Sequence, residues 1–188
     1  KNTGMDLSIG WRDRIGHFNY RINGNVSTYK NTVVRLGSSD LFNNTRLSKV
    51  NITTEGQPIG MFYGYHIIGV YKSADDVLNY KNAKGETILP YAIVNAEDVN
   101  PDDWIGRYKI EDVNNDGKID ALDKKIIGNP HPDFTGGVNV SMGYKNFDLS
   151  TYFYFSVGND IFRHYMYYTH FGALQSNYSK DRRDNSWH

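Results

Sequence analysis

The sequence contains no cysteine in 188 residues, which excludes disulfide staples and any thiolate metal site. It has no apolar run of eighteen residues, so no helix of it spans a bilayer. It shows no secretory leader: Lys1-Asn-Thr-Gly-Met-Asp6 is polar and reads as the middle of something longer. Neither sign of charge is in excess, with Lys plus Arg and Asp plus Glu both at 21, so there is no basic field to hold nucleic acid or anionic lipid. The Gly-x-Ser-x-Gly elbow of serine hydrolases is missing too. What the chain has is 15 Tyr and 9 Phe within a composition of negative mean hydropathy. That pairing suits strands with one apolar face better than a helical core.

Two-residue alternation dominates both ends. Met5, Leu7, Ile9 and Trp11 alternate with Asp6, Ser8 and Gly10; after a turn placed at Arg12 to Gly16 the pattern resumes through Phe18, Tyr20, Ile22 and Val26 against Asn19, Arg21, Asn23, Asn25 and Ser27. This predicts a hairpin over 1–30. A second hairpin is expected over 137–188, where Val138, Val140, Met142 and Tyr144 lead through Lys145-Asn146 to Phe147, Leu149, Thr151, Phe153, Phe155 and Val157, followed by an extracellular loop. Period alone does not separate a soluble sandwich from a barrel. Two features favour antiparallel strands of a transmembrane β-barrel, present in part. The polar face is continuous while the apolar face ends in aromatics, and short hairpin turns contrast with a long excursion over 31–136, as periplasmic turns contrast with extracellular loops.

Within that excursion, 112–123 sets oxygen-bearing side chains at the first, third, fifth, ninth and twelfth places of a loop: Asp112, Asn114, Asp116, Asp120 and Asp123, with Gly117 at the sixth. This is the spacing by which a twelve-residue, EF-hand-like loop wraps one hard cation, and it predicts calcium. Lys118 contributes its main-chain carbonyl, Gly117 permits the positive φ of a sharp turn, and Ile119 anchors the loop to the body of the protein. The plainer reading is a polar turn, for which Asn-Asp-Gly alone would suffice. The segment before the loop, Arg107 to Ile110, reads as extended, and 121–127 as about two helical turns stopped at Gly128-Asn-Pro130. A single loop ending in Asp rather than Glu points to a fixed structural ion rather than a switch.

Other groupings carry less. The histidines, including His164 and His170, show no repeating metal spacing. Asp75-Asp76 and Asp102-Asp103 are neighbours in loops and point apart, which suits a solvated face and not a pair of glycosidase carboxylates. No catalytic set is expected. Tyr63, Tyr65, Tyr71 and Trp104 are the candidate stacking platforms for a sugar ring, and a packed loop core explains them equally well.

Several stretches in order resemble one family, the SusC/RagA family of TonB-linked outer-membrane proteins. They are Asn2-Thr-Gly-Met-Asp-Leu-Ser8, Gly56-Gln-Pro-Ile-Gly-Met-Phe-Tyr-Gly-Tyr65 with Gly69-Val-Tyr71, Tyr108 through Asp120, Ile127 through Gly137, and Phe147-Asp-Leu-Ser150 leading to Gly158-Asn-Asp-Ile-Phe162. The resemblance implies a plugged barrel of about 22 strands in the bacterial outer membrane. It also implies TonB as energiser, a SusD-like surface lipoprotein as lid, and import of glycan or peptide. Four or five strands cannot close such a barrel, so the chain is expected to be a fragment from its later part. The alternative is a soluble calcium-dependent module resembling a dockerin, whose loop has the same Asp-x-Asn-x-Asp-Gly order.

Overall fold

The period-2 segments fold as four long antiparallel strands. In the computed structural model, which describes residues 1–37, 40–45, 48–90, 93, 95–170 and 177–184, β1 (Asn2–Ile15) and β2 (Phe18–Asn31) form the first hairpin. Four short strands follow: β3 (Leu41–Thr45), β4 (Ser48–Thr53), β5 (Met61–Tyr65) and β6 (Ile67–Val70). After helix α1 (Ala74–Leu78) come β7 (Tyr108–Ile110) and β8 (Lys124–Gly128), then the long pair β9 (Phe134–Tyr144) and β10 (Phe147–Val157). Short helices α2 (Tyr165–His170) and α3 (Lys180–Asp184) close the chain. The sheets have the orders β1-β2-β9-β10, β3-β4-β5-β8 and β6-β7. The chain divides into two compact units, Lys1–Phe62 with Gly128–Ile161, and Tyr63–Ile127 with Phe162–His188.

The first unit is built on the four-stranded sheet. Its register places Met5, Leu7, Ile9 and Trp11 beside Thr28, Val26, Gly24 and Ile22, and these in turn beside β9 and β10, so that one face reads Ile22, Val140, Thr151 in one row and Tyr20, Met142, Leu149 in the next. The opposite face carries Arg12, Arg21, Ser141 and Ser150, then Asn23 and Asn139. The apolar side chains are open to the surroundings, with Leu7, Ile9, Trp11, Leu149 and Phe153 each about three-fifths exposed. Aromatics gather at both ends of this face: Phe18, Tyr144 and Phe147 share a row next to the turns, and Phe134 packs edge-on against Phe155 at 6.2 Å near the far end. Strands β9 and β10 are 11 residues each, the length a tilted strand needs to cross a bilayer.

Both turns of this sheet are two residues long, and each begins in the left-handed region, at Gly16 (φ +62°) and at Lys145 (φ +53°). The first is tighter than the Arg12–Gly16 turn expected from sequence, because Arg12, Asp13, Arg14 and Ile15 continue the ladder opposite Arg21, Tyr20, Asn19 and Phe18. Across β9 and β10, Phe155 covers Gly136 and Tyr152 covers Gly137, filling the space those glycines leave.

The second unit has the buried core. Tyr71, Val77, Ile88 and Ile119 are each at most 4 % exposed, and burying each such side chain is worth about 1.5–3 kcal/mol. Ser73 caps α1, its side chain accepting from the Asp76 amide. The helix expected over 121–127 does not form. Ala121–Asp123 is a single 3₁₀ turn and Lys124 begins β8, because Ile126 and Ile127 are β-branched residues pairing in a sheet.

Candidate functional site

The loop at 112–123 is shaped by its own carboxylates. Asp112 accepts from the backbone amides of Asp116 (3.2 Å) and Gly117 (2.9 Å), and from the Asn82 side chain at 3.3 Å. Asn114 and Asp116 accept from the amides two residues on, at 3.0 and 2.9 Å. Asp123 closes the ring: one oxygen accepts from the Val113 amide at 2.9 Å and the other from the Asp120 amide at 2.8 Å, completing a capping box in which Asp120 accepts from the Leu122 amide. Positive φ at Asn115 (58°) and Gly117 (79°) supplies the curl. Lys84 donates to the Asn115 carbonyl at 2.6 Å and the Leu89 amide to that of Gly117 at 3.1 Å, so the loop is also held from outside. The Ile119 anchor read from sequence is buried, at 4 % exposed.

The electrostatics follow from burial. Asp123 is fully buried and Asp112 is 6 % exposed, yet among the described residues neither has a cationic side chain in ion-pair range. Beside them the Tyr80 phenol is pushed up to about 12, first by burial and then by the charges of Asp112, Glu111 and Asp123. Oxygen ligands of the type a hard cation takes are therefore present, in a region of negative potential. Among the described residues, however, no three acidic or histidine side chains gather as one metal shell, since the carboxylates are turned toward loop amides. Apart from the Asp112 oxygen that accepts from both Gly117 and Asn82, each of these carboxylate oxygens keeps a second lone pair for another partner.

Just outside the loop, Glu111 and Lys125 pair at 2.6 Å, and the same Glu111 oxygen meets His66 at 2.5 Å. Lys125, then His66, hold the Glu111 carboxyl below the ordinary glutamate range. The clasp joins residues flanking both ends of the loop, a pairing the sequence reading missed because Glu111 and Lys125 lie outside the twelve-residue pattern.

The aromatic candidates are dispersed. Tyr71 is 2 % exposed, edge-on to Tyr80 at 6.0 Å, with the Lys109 ammonium 5.4 Å from its ring centre. It belongs to the core and has no face left for a sugar, which corrects the expectation for this residue. Lys109 is fixed there by an ion pair with Asp76, whose carboxyl it holds below the usual range. Trp104 and Tyr65 are half-buried, each with a cation 5.1 Å from the ring centre, Arg107 and Lys124 respectively. Tyr63 is half-buried in β5.

No family model matches the sequence. Among curated proteins of Formosa agariphila, the chain is 32 % identical to TonB-dependent receptor P3 over 183 residues, covering 94 % of this chain and 17 % of that protein. The chain belongs to the TonB-dependent receptors. It is also 29 % identical to receptor P39, covering all of this chain and 20 % of that protein, and 26 % identical to P26, covering 86 % and 15 %. The chain thus spans about a fifth or less of the length of these relatives. The solved structure of the RagAB peptide transporter matches with a TM-score of 0.60 at 19 % identity, over 98 % of this chain and 19 % of that one, which shows the same fold. The likeness to these receptors places the chain in the outer membrane, and its antiparallel sheets match part of a β-barrel of that fold.

Proposed function

We propose that this chain is a wall segment and outer lobe of a TonB-driven importer that takes up glycan or peptide together with a SusD-like lipoprotein. The observation that carries the reading is the first sheet: four strands with a continuous exposed apolar face, aromatic at both ends, and a polar reverse face. Such a face is stable in hydrocarbon and costly in water. Support for the energy source and partner comes from the likeness to TonB-dependent receptors and to the RagAB fold. A freely soluble dockerin-like module fits less well, because strands β7 and β8 flank the loop where helices would be required. The test is uptake of labelled peptides and oligosaccharides by cells carrying the full-length receptor. Import that stops when TonB is removed supports the reading; import indifferent to TonB overturns it.

The finer proposal concerns the lobe. Asp112, Asn114, Asp116, Asp120 and Asp123, with the Lys118 carbonyl, would hold a structural calcium ion. Two buried carboxylates without a cationic partner, in a loop already curled, support this assignment. When bound, the ion would supply the positive charge that the loop's acidic groups lack. Calcium is expected to raise the melting temperature of the full-length receptor, and Asp116→Ala to abolish the increment. An equal shift in both proteins would defeat the assignment.

A further inference from the structure

One acidic side chain interrupts the apolar face of the first sheet. Asp13 stands directly opposite Tyr20 on β2, and Tyr20 opposite Met142 on β9, so the Asp13 carboxylate leaves on the face that carries Trp11, Met142 and Leu149. Its chain neighbours Arg12 and Arg14, opposite Arg21 and Asn19, leave on the polar face. Asp13 is exposed and accepts from the Arg14 amide at 2.7 Å; among the described residues no cation lies within ion-pair range of it. Its row is two residues, about 7 Å, from the row of Ile15, Phe18, Tyr144 and Phe147 beside the turns. Tyr20 stacks on Phe18 at 5.8 Å and accepts from the Trp11 indole N–H at 3.4 Å. Beyond Tyr20, on the strand about 10 Å from β1, the Lys145 ammonium lies 5.4 Å from the centre of the Tyr144 ring, also without an ion pair among the described residues.

We propose that Asp13, Tyr20 and Lys145 form a docking site for a zwitterionic phospholipid whose headgroup joins a primary ammonium to a phosphate, in the leaflet at the hairpin-turn end of the barrel. The proposal rests on the reading of the apolar face as the one that meets lipid. A carboxylate on such a face is costly in hydrocarbon and is stabilised by a cation at the polar boundary. Charge complementarity selects the chemistry. An acid and a base on either side of a tyrosine hydroxyl offer one group to an ammonium and one to a phosphate, whereas a purely anionic headgroup would satisfy Lys145 and be repelled by Asp13. A primary ammonium is favoured over a quaternary one because its N–H groups make charge-assisted hydrogen bonds to the carboxylate. The exposed side chains of Trp11 and Leu149 continue the site along the strands and give acyl chains a surface, which selects a lipid over a free phosphoester.

The test uses the full-length receptor in detergent, given equal amounts of phosphatidylethanolamine and phosphatidylglycerol of the same acyl chains, with retained lipid counted by native mass spectrometry. Phosphatidylethanolamine is expected to be retained about two- to fivefold more, the range of an ion pair at a wet surface. Asp13→Asn should remove that preference, Lys145→Gln should lower retention of both lipids, and Asp148→Asn on the polar face should change neither. If Asp13→Asn does not assemble, successive N-methylation of the ethanolamine lipid reads the same contact in the wild type, and retention should fall with each methyl group. Equal retention of the two lipids by the wild type, an unchanged preference in Asp13→Asn, or displacement of the lipid by free phosphoethanolamine overturns the proposal. The orientation of the sheet is read separately, by p-benzoylphenylalanine in place of Ile22. A crosslink to lipid there, together with no headgroup preference, defeats the docking site alone; no crosslink to lipid defeats the barrel reading and the docking site with it.

Discussion

Asp123 concentrates the chemistry of the lobe in one side chain. It has no exposure and two amide donors, one for each carboxylate oxygen. Asparagine has the same shape but a single acceptor, so Asp123→Asn leaves either the Val113 or the Asp120 amide facing an NH₂ group. The expected cost is about 1–3 kcal/mol, seen as faster hydrogen exchange at those two amides; unchanged exchange at both would contradict the closure described. Glu111 makes the lobe acid-sensitive. Its folded-state carboxyl lies below the ordinary value of 4.5, owing first to Lys125 and then to His66. Its contribution is therefore complete above that ordinary value and is lost as pH falls through the lowered one, because the unfolded chain takes up the proton first. Glu111→Gln should flatten this part of the acid denaturation profile of the lobe and leave the neutral end displaced downward. The turn at Gly117 and the buried anchor at Ile119 were legible in the sequence because each follows from residue type at a fixed place in a short loop. The fate of Tyr71 was not, since a core tyrosine and a binding-platform tyrosine are the same letter, and only the packing of Tyr80 and Lys109 around it distinguishes them.

At the level of elements, alternation reported the long strands well and reported the turn between the first two less well. The pattern of apolar residues stops at Trp11, yet backbone pairing continues to Ile15 and Phe18. With the turn placed at Arg12 to Gly16, Arg12 looks like loop; with it at Gly16-His17, Arg12 and Arg21 are equidistant from the turn and must face each other. The helix expected over 121–127 failed for a related reason, since strand pairing is set by a partner far along the chain. Glycines in the sheet separate into two kinds that composition does not distinguish. A Cβ at Gly136 would lie 2.5 Å from the Asn25 carbonyl oxygen and from the Phe155 ring, whereas one at Gly24 would meet nothing within 4 Å. Gly136→Ala is expected to destabilise the folded receptor by about 1–3 kcal/mol through overpacking, and Gly24→Ala to be nearly neutral. Thermal midpoints from heat-modified gel mobility check this, and equal losses at the two sites would refute the close packing of Phe155 on β9.

For the whole molecule, the argument turns on what the first sheet faces. A water-soluble sandwich would bury Leu7, Ile9, Trp11, Leu149 and Phe153 against a second layer, whereas a barrel wall would leave them to lipid; among the described residues they are exposed, with aromatics at both ends of their face. Amphipathicity of this kind was readable residue by residue, while the number of strands in a closed wall is not a property that any one strand's pattern carries. Neighbours on β9 give the most direct test. Val140 lies on the apolar face between Ile22 and Thr151, and Asn139 on the polar face between Asn23 and Tyr152. Val140→Arg puts a guanidinium into hydrocarbon near mid-strand, at a cost of about 2–4 kcal/mol for a barrel strand in a bilayer. Asn139→Arg puts the same group one residue away into the watery interior, where the change should be within about 0.5 kcal/mol. Because backbone, strand and substituent are shared, the difference between the two variants isolates the medium on each side of the sheet. Equal destabilisation, measured by denaturant titration of the full-length receptor in lipid vesicles, would mean that both faces meet the same solvent and that the sheet is not barrel wall.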